Sequence, residues 1–184
     1  MNKKALVILA QGFEEIEAVI PIDMLRRAEV EVIVAGVGGE TITGSREVII
    51  KPDVSLEECD LEPDAVILPG GMPGAENLAT SSKVKEIITK MNSKGKIIAA
   101  ICASPALVLA PMGILNGKEA TCYPGLDKNF SPEIKFSKER VVQDGNVITS
   151  QGPATAFGFA RKITENLVGK AKADMVASQM LVED

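Results

Sequence analysis

The sequence has no histidine and no tryptophan among its 184 residues. Without an imidazole there can be no Ser-His-Asp triad, no Cys-His dyad and no histidine-ligated metal. Any covalent chemistry must therefore activate its nucleophile by other means. Cysteine is also scarce: Cys59, Cys102 and Cys122 are too few and too scattered for a disulfide framework or a CxxC metal knuckle. Basic residues are outnumbered, with 20 Lys and Arg against 25 acids and a net charge of -5. A phosphate backbone calls for a basic surface, so no nucleic-acid binding is expected. Lys or Pro interrupts every apolar run before it reaches the length of a membrane span, so no membrane association is expected either. Aromatic residues make up only 3% while hydrophobic residues in total make up 46%. The core must then be built from Val, Ile, Leu and Ala, the mixture of buried parallel strands under helices.

The start, Met1-Asn2-Lys3-Lys4, resembles a signal-peptide n-region only superficially. Its apolar stretch stops at Gln11, and Glu14, Glu15 and Glu17 follow. It reads as the first core strand of a cytoplasmic protein. The length fits a single domain over residues 1–184, and there is no internal repeat, low-complexity tract or linker.

Strand runs recur along the chain with helical stretches between them. Ala5-Leu6-Val7-Ile8-Leu9-Ala10 is unbroken and apolar, as befits a strand buried on both faces. Residues 30–35, 65–68, 97–101 and 147–150 repeat the pattern. Helices are expected near residues 14–28, 82–93, 104–111 and 154–168, with a last one around 171–177. Such alternation implies a doubly wound, mostly parallel sheet with helices on both faces. The segment 38–55, with Gly38, Gly39 and Gly44, suggests a small hairpin excursion. A second hairpin is expected to turn at Asp144-Gly145.

In such sheets functional groups gather at the carboxyl ends of the strands. There Ala100-Ile101-Cys102-Ala103-Ser104 has the form small-x-nucleophile-x-small after a buried strand, the logic of a nucleophile elbow. Ser104 would cap a helix and Pro105 would occupy its first position. Cys102 would then face a helix N-terminus, which favours thiolate. The same segment is equally compatible with a small buried apolar cysteine. Cys59, within Glu57-Glu58-Cys59-Asp60, and Cys122 read as structural or incidental.

With no histidine, the proton partner of Cys102 must be a carboxylate or solvent. Glu17 is the best candidate, set among Ile16, Ala18, Val19 and Ile20, where apolar surroundings raise a carboxyl pKa. Pro21, four residues on, removes the helical hydrogen bond to the Glu17 carbonyl. An ordinary first-turn acid would also sit here. Glu14 and Glu15 are assigned to solvent. Gly70-Gly71, after the strand ending at Leu68, offers backbone amides to an oxyanion, but is neither a P-loop nor a dinucleotide fingerprint.

Taken together, Gln11-Gly12-Phe13-Glu14-Glu15-Ile16-Glu17, Leu68-Pro69-Gly70-Gly71 and Ala99-Ala100-Ile101-Cys102-Ala103 resemble the ThiJ/PfpI superfamily. Within it they resemble the branch of the parkinsonism-associated protein deglycase and bacterial YajL. Val19-Ile20-Pro21, Pro52-Asp53, Val84-Lys85-Glu86-Ile87 and Thr149-Ser150-Gln151-Gly152-Pro153 extend the likeness nearly end to end. The resemblance implies a flavodoxin-like α/β fold, a homodimer, and no cofactor or metal. It implies that Cys102 is the reactive cysteine, Glu17 its protonated glutamate partner, and Gly71 and Ala103 the oxyanion-hole amides. It implies glutathione-independent glyoxalase activity, converting methylglyoxal to lactate, or deglycase activity on glycated adducts. The alternative from the same resemblance is a non-catalytic oxidative-stress sensor or chaperone using the same cysteine. One residue departs from the pattern: Tyr123 stands where this branch often has His. Tyr is a poor base near neutral pH, which argues against protease or amidotransferase chemistry.

Overall fold

The first apolar run becomes β1 (Lys4–Ala10), with every residue from its second onward buried. Successive strand side chains point to opposite faces. Ala5, Val7 and Leu9 enter one apolar cluster, and Leu6, Ile8 and Ala10 enter another. A strand with no polar face must lie inside a sheet covered on both sides. The structure, a computed structural model, describes residues 3–182 and has that form.

After β1 come α1 (Glu15–Arg27), β2 (Glu31–Val37), an antiparallel hairpin of β3 (Ile42–Thr43) and β4 (Ile49–Ile50), and β5 (Val54–Ser55). Next are β6 (Ala65–Leu68), α2 (Gly74–Thr80), α3 (Ser82–Ser93) and β7 (Ile97–Ile101). The remainder holds the two-residue strands β8 (Glu119–Ala120) and β9 (Lys135–Phe136), then β10 (Val141–Asp144) and β11 (Val147–Ser150). It ends with α4 (Ala156–Val168) and α5 (Lys170–Gln179).

The main sheet has seven strands in the order β10-β11-β7-β6-β1-β2-β5. Every neighbouring pair is parallel except β10 with β11. This is the flavodoxin-like α/β class expected from the sequence. On one face α1, α4 and α5 pack together and bury Met24, Leu25, Phe159, Ile163 and Val176 against the sheet. On the other, α2 and α3 supply Leu78, Val84, Ile88 and Met91. Ser81 caps α3, its hydroxyl accepting the Val84 N–H at 3.3 Å.

Both predicted hairpins form, and Gly145 takes the left-handed backbone its turn needs, φ +60°. Two expectations change. The helix expected over residues 104–111 is a single π-helical turn, Pro105–Leu109, followed by further turns. The turn closes with the Ala110 N–H donating to the Pro105 carbonyl, five residues back, at 2.9 Å. A helix that the sequence did not suggest, α2, begins directly after Pro73, where Pro and Gly read only as a loop.

Candidate active site

The loops leaving β1, β6, β7 and β11 meet at one end of the sheet, because these strands are neighbours running in one direction. Cys102 is the first residue after β7 and has φ +64°, a left-handed conformation that a non-glycine residue adopts at a cost of roughly 1–2 kcal/mol. Two hydrogen bonds hold it there. Its N–H donates to the Ser150 carbonyl at 2.9 Å, and its carbonyl accepts the Tyr123 N–H at 2.8 Å. The elbow read from small flanking residues is therefore present, clamped between β11 and the segment after β8.

Glu17 reaches the same point from the first turn of α1 and is fully buried. Its Oε2 accepts the Gly70 N–H at 2.8 Å, while Oε1 is buried with no partner in hydrogen-bond geometry. Burial pushes its carboxyl up to about 7; the Gly70 N–H and the Cys102 side chain pull it down, and the Glu14 charge pushes it up. The carboxyl pKa is raised as expected, but by burial against the β6 loop and the elbow and not by Ile16 and Val19, which are half-exposed.

The thiol behaves differently from the expectation. Burial first, and then the Glu17 charge, push Cys102 up to about 12, against the opposing pull of the Gly71 and Ala103 amides. A five-residue turn carries little of the dipole that a longer helix would aim at the sulfur. Near neutral pH the pair consequently retains at least one proton, and Glu17 is the group poised to exchange it. Cys122 is likewise pushed up to about 12 by burial, and both it and Cys59 are buried.

Glycine is required where the loops close on one another. A Cβ on Gly70 would lie 2.6 Å from the Cys102 Cβ and 2.8 Å from Glu17 Oε2. Gly71 has φ +88°, and a Cβ there would meet the Gly12 carbonyl oxygen at 2.5 Å. The two glycines thus let the β6 loop run between the acid and the thiol.

An open cleft of about 300 Å³ lies over the sulfur, bounded by Gly71, Met72, Cys102, Ala103, Tyr123 and Arg46, among others. The structure thus gathers the five residues that the resemblance or its one departure singled out: Cys102, Gly71, Ala103 and half-exposed Tyr123 line the cleft, and buried Glu17 lies against Gly70 and Cys102. A larger cavity of about 830 Å³, between the β10 end and α4, contains none of them. Among the described residues no group of three or more Cys, Asp or Glu side chains is arranged to hold a metal ion.

Other residues were missed or misassigned. Glu15 is buried rather than solvent-facing: its Oε1 accepts the Arg46 N–H at 2.6 Å and its Oε2 accepts the Ser45 hydroxyl at 3.3 Å. Glu14 accepts the same hydroxyl at 3.0 Å and lines the cleft. Ser104 makes no capping bond; its hydroxyl donates to the Pro69 carbonyl at 2.5 Å. Only Pro105 keeps its assigned place at the start of the turn. No local pattern signals these contacts, because each joins segments some thirty residues or more apart.

The model of the DJ-1/PfpI family matches residues 3–166. The "Parkinson disease protein 7 homolog" of Danio rerio is 48% identical over 188 residues, covering 100% of this chain and 99% of that protein. The "Glutathione-independent glyoxalase DJR-1.2" of Caenorhabditis elegans is 37% identical, covering 94% of this chain and 93% of that protein. The crystal structure of Drosophila melanogaster DJ-1beta superposes with a TM-score of 0.96 at 45% identity, covering 100% of both chains.

Proposed function

The chain belongs to the DJ-1/PfpI family, and from that premise we propose that it is a cysteine-dependent, glutathione-independent glyoxalase acting on methylglyoxal-type dicarbonyls or their adducts. The observation that carries this reading is the buried Glu17 carboxyl, raised to about 7 and coupled to the Cys102 thiol at a strained elbow. A base poised near the working pH is what proton abstraction beside a carbonyl needs. The name of the Caenorhabditis elegans relative points the same way.

In this mechanism the Cys102 sulfur attacks the aldehyde carbon, forming a C–S bond. The thiol proton passes by way of Glu17 to the aldehyde oxygen, giving a hemithioacetal. The Gly71 and Ala103 amides, which already face the sulfur, stabilise the developing oxyanion. Glu17 then takes the proton from the former aldehyde carbon and returns it to the adjacent one, while a hydroxyl proton moves between the two oxygens. The first carbon is oxidised and the second reduced, so no external oxidant enters. The product is a 2-hydroxyacyl thioester, and water releases it as the hydroxy acid and the free thiol. Tyr123 stands at the cleft mouth as a hydrogen-bonding neighbour and not as a base.

The chain is further proposed to pair with a second copy through the exposed apolar face formed by Ile16 and Val19 of α1 with Val48 and Ile49 of the hairpin.

The test is lactate formation from methylglyoxal without glutathione. Native protein should turn over. Cys102→Ser should abolish activity, and Glu17→Gln should lower it at least a hundredfold, as expected for loss of a positioned base. Full activity in Glu17→Gln would remove the proton shuttle. Absence of turnover, with ready conversion of Cys102 to a stable sulfinate, would favour the oxidative-stress sensor instead.

A further inference from the structure

We propose that Ser104 is a positioning residue for Glu17, its hydroxyl fixing and polarising the Pro69-Gly70 peptide that holds the carboxylate. The inference rests on the reading of Glu17 as the acid and base of the site. Ser104 is fully buried, so its hydroxyl must find an acceptor within the protein. The neighbouring turn offers it no role, because Ser104 already has helical backbone angles, φ −65° and ψ −35°, and makes no capping bond. It donates instead to the Pro69 carbonyl oxygen at 2.5 Å, across 35 residues of sequence.

That carbonyl and the Gly70 N–H belong to one peptide unit. The N–H donates to Glu17 Oε2 at 2.8 Å. A continuous relay therefore runs from the Ser104 hydroxyl, through the peptide, to the carboxylate. Drawing electron density toward the carbonyl oxygen makes the amide proton a stronger donor, and hydrogen bonds in a buried chain strengthen one another by roughly 10–30% each. The same bond fixes the peptide in orientation. Gly70 has no side chain that could do so, and none fits, since a Cβ would strike Cys102 and Glu17. Ser104 lies two residues beyond Cys102, so the relay ties the elbow to its acid.

The titratable groups that face Glu17 are Cys102 and Glu14, with Tyr123 beyond Gly152. None of them contacts the Ser104 hydroxyl. The Gly70 N–H donates to Glu17 Oε2 and lowers its pKa. Weakening it should move the titration upward.

The test uses full-length protein labelled with carbonyl-13C proline and 15N glycine. Pro69-Gly70 is then one of three Pro-Gly pairs, with Pro73-Gly74 and Pro124-Gly125. In the native chain the Gly70 amide and the Pro69 carbonyl should titrate together with a midpoint of about 7, and Glu17→Gln should abolish both transitions. Ser104→Ala should raise the Gly70 midpoint by a few tenths of a pH unit and quicken iodoacetamide labelling of Cys102 near pH 7 by less than about twofold, because a more fully protonated Glu17 relieves the charge that pushes the thiol up. In a Glu17→Gln background Ser104→Ala should leave the labelling profile unmoved. A midpoint shared by Ser104→Ala and native protein would overturn the proposal, as would an equal effect in the Glu17→Gln background. If Ser104→Ala does not fold, the native titration decides: a Pro69 carbonyl that stays flat while Gly70 moves overturns it. None of these readouts needs dicarbonyl turnover, so failure of the glyoxalase reading would be seen separately.

Discussion

Glu17 enters the folded chain with a carboxyl that burial pushes up from 4.5 to about 7. Unfolding returns it to water and to its ordinary value. Between these two pH values the folded state binds more protons than the unfolded state, so this group makes stability fall as pH rises. Its contribution is favourable to folding below about 4.5 and is progressively lost through 7, a change on the order of 3 kcal/mol. Glu17→Gln keeps the shape and removes the titration. Urea unfolding at pH 5 and pH 8 should therefore give a larger loss of stability for native protein than for Glu17→Gln. Equal losses would mean that Glu17 is not the buried acid. The elbow adds strain at the same place, because Cys102 is held at φ +64° by bonds from two other strands' segments. Stability is given up at the residues proposed to carry the chemistry.

At the scale of elements, α1 divides its acids by direction. Glu15 and Glu17 are two positions apart, so on a helix they point to different sides. Glu17 turns to the β6 loop, whereas Glu15 turns to the hairpin of β3 and β4. There Glu15 Oε1 accepts the Arg46 N–H at 2.6 Å and faces the Val48 N–H at 3.4 Å. Gly44 makes room for this carboxylate, because a Cβ there would overlap it. The hairpin contributes Ser45 and Arg46 to the cleft wall, so a helix carboxylate positions part of the site's rim. Hydrogen bonds to a charged acceptor contribute about 1.5–3 kcal/mol each. Glu15→Ala should keep the main sheet intact while hydrogen exchange at Arg46 and Val48 quickens at least tenfold. Unchanged protection at those amides would show that the hairpin is held by its own turn.

For the whole molecule, what the core leaves outside is as informative as what it buries. Ile16 and Val19 are each 47% exposed, Val48 is 49% exposed and Ile49 is 65% exposed. The first two lie on α1 and the others on the hairpin that Glu15 docks to that helix. Exposed apolar side chains on two docked elements suit an interaction surface, and a second copy of the chain is its proposed occupant. A self-complementary pairing would bring two hairpins together beside two clefts. Sedimentation of native protein should give a dimer at tens of micromolar, and Ile49→Asp should give a monomer with unchanged secondary structure. A native monomer at that concentration would remove the proposal.

Local composition and periodicity determined much of this protein. An apolar run with no polar face, such as Ala5 to Ala10, can only be a strand inside a covered sheet. The absence of histidine narrowed any nucleophile's partner to a carboxylate or solvent, and the small residues around Cys102 fitted an elbow without deciding between it and a buried apolar cysteine. Apolar neighbours gave the right direction for Glu17, but Ile16 and Val19 are themselves half-exposed, and the burial that raises the carboxyl comes from the β6 loop and the elbow. The tertiary structure alone decided the rest. The direction of the thiol's shift depended on whether burial and a nearby carboxylate outweighed the dipole of a helix that turned out to be one short turn. Glu15 reads as a solvent-facing acid until the hairpin, thirty residues away, brings its amides against it. Ser104 reads as a cap until the β6 loop supplies the Pro69 carbonyl. Periodicity reports the direction a side chain takes from its own element; hydrogen-bond partners and electrostatic neighbours are set by which loops the sheet order brings together.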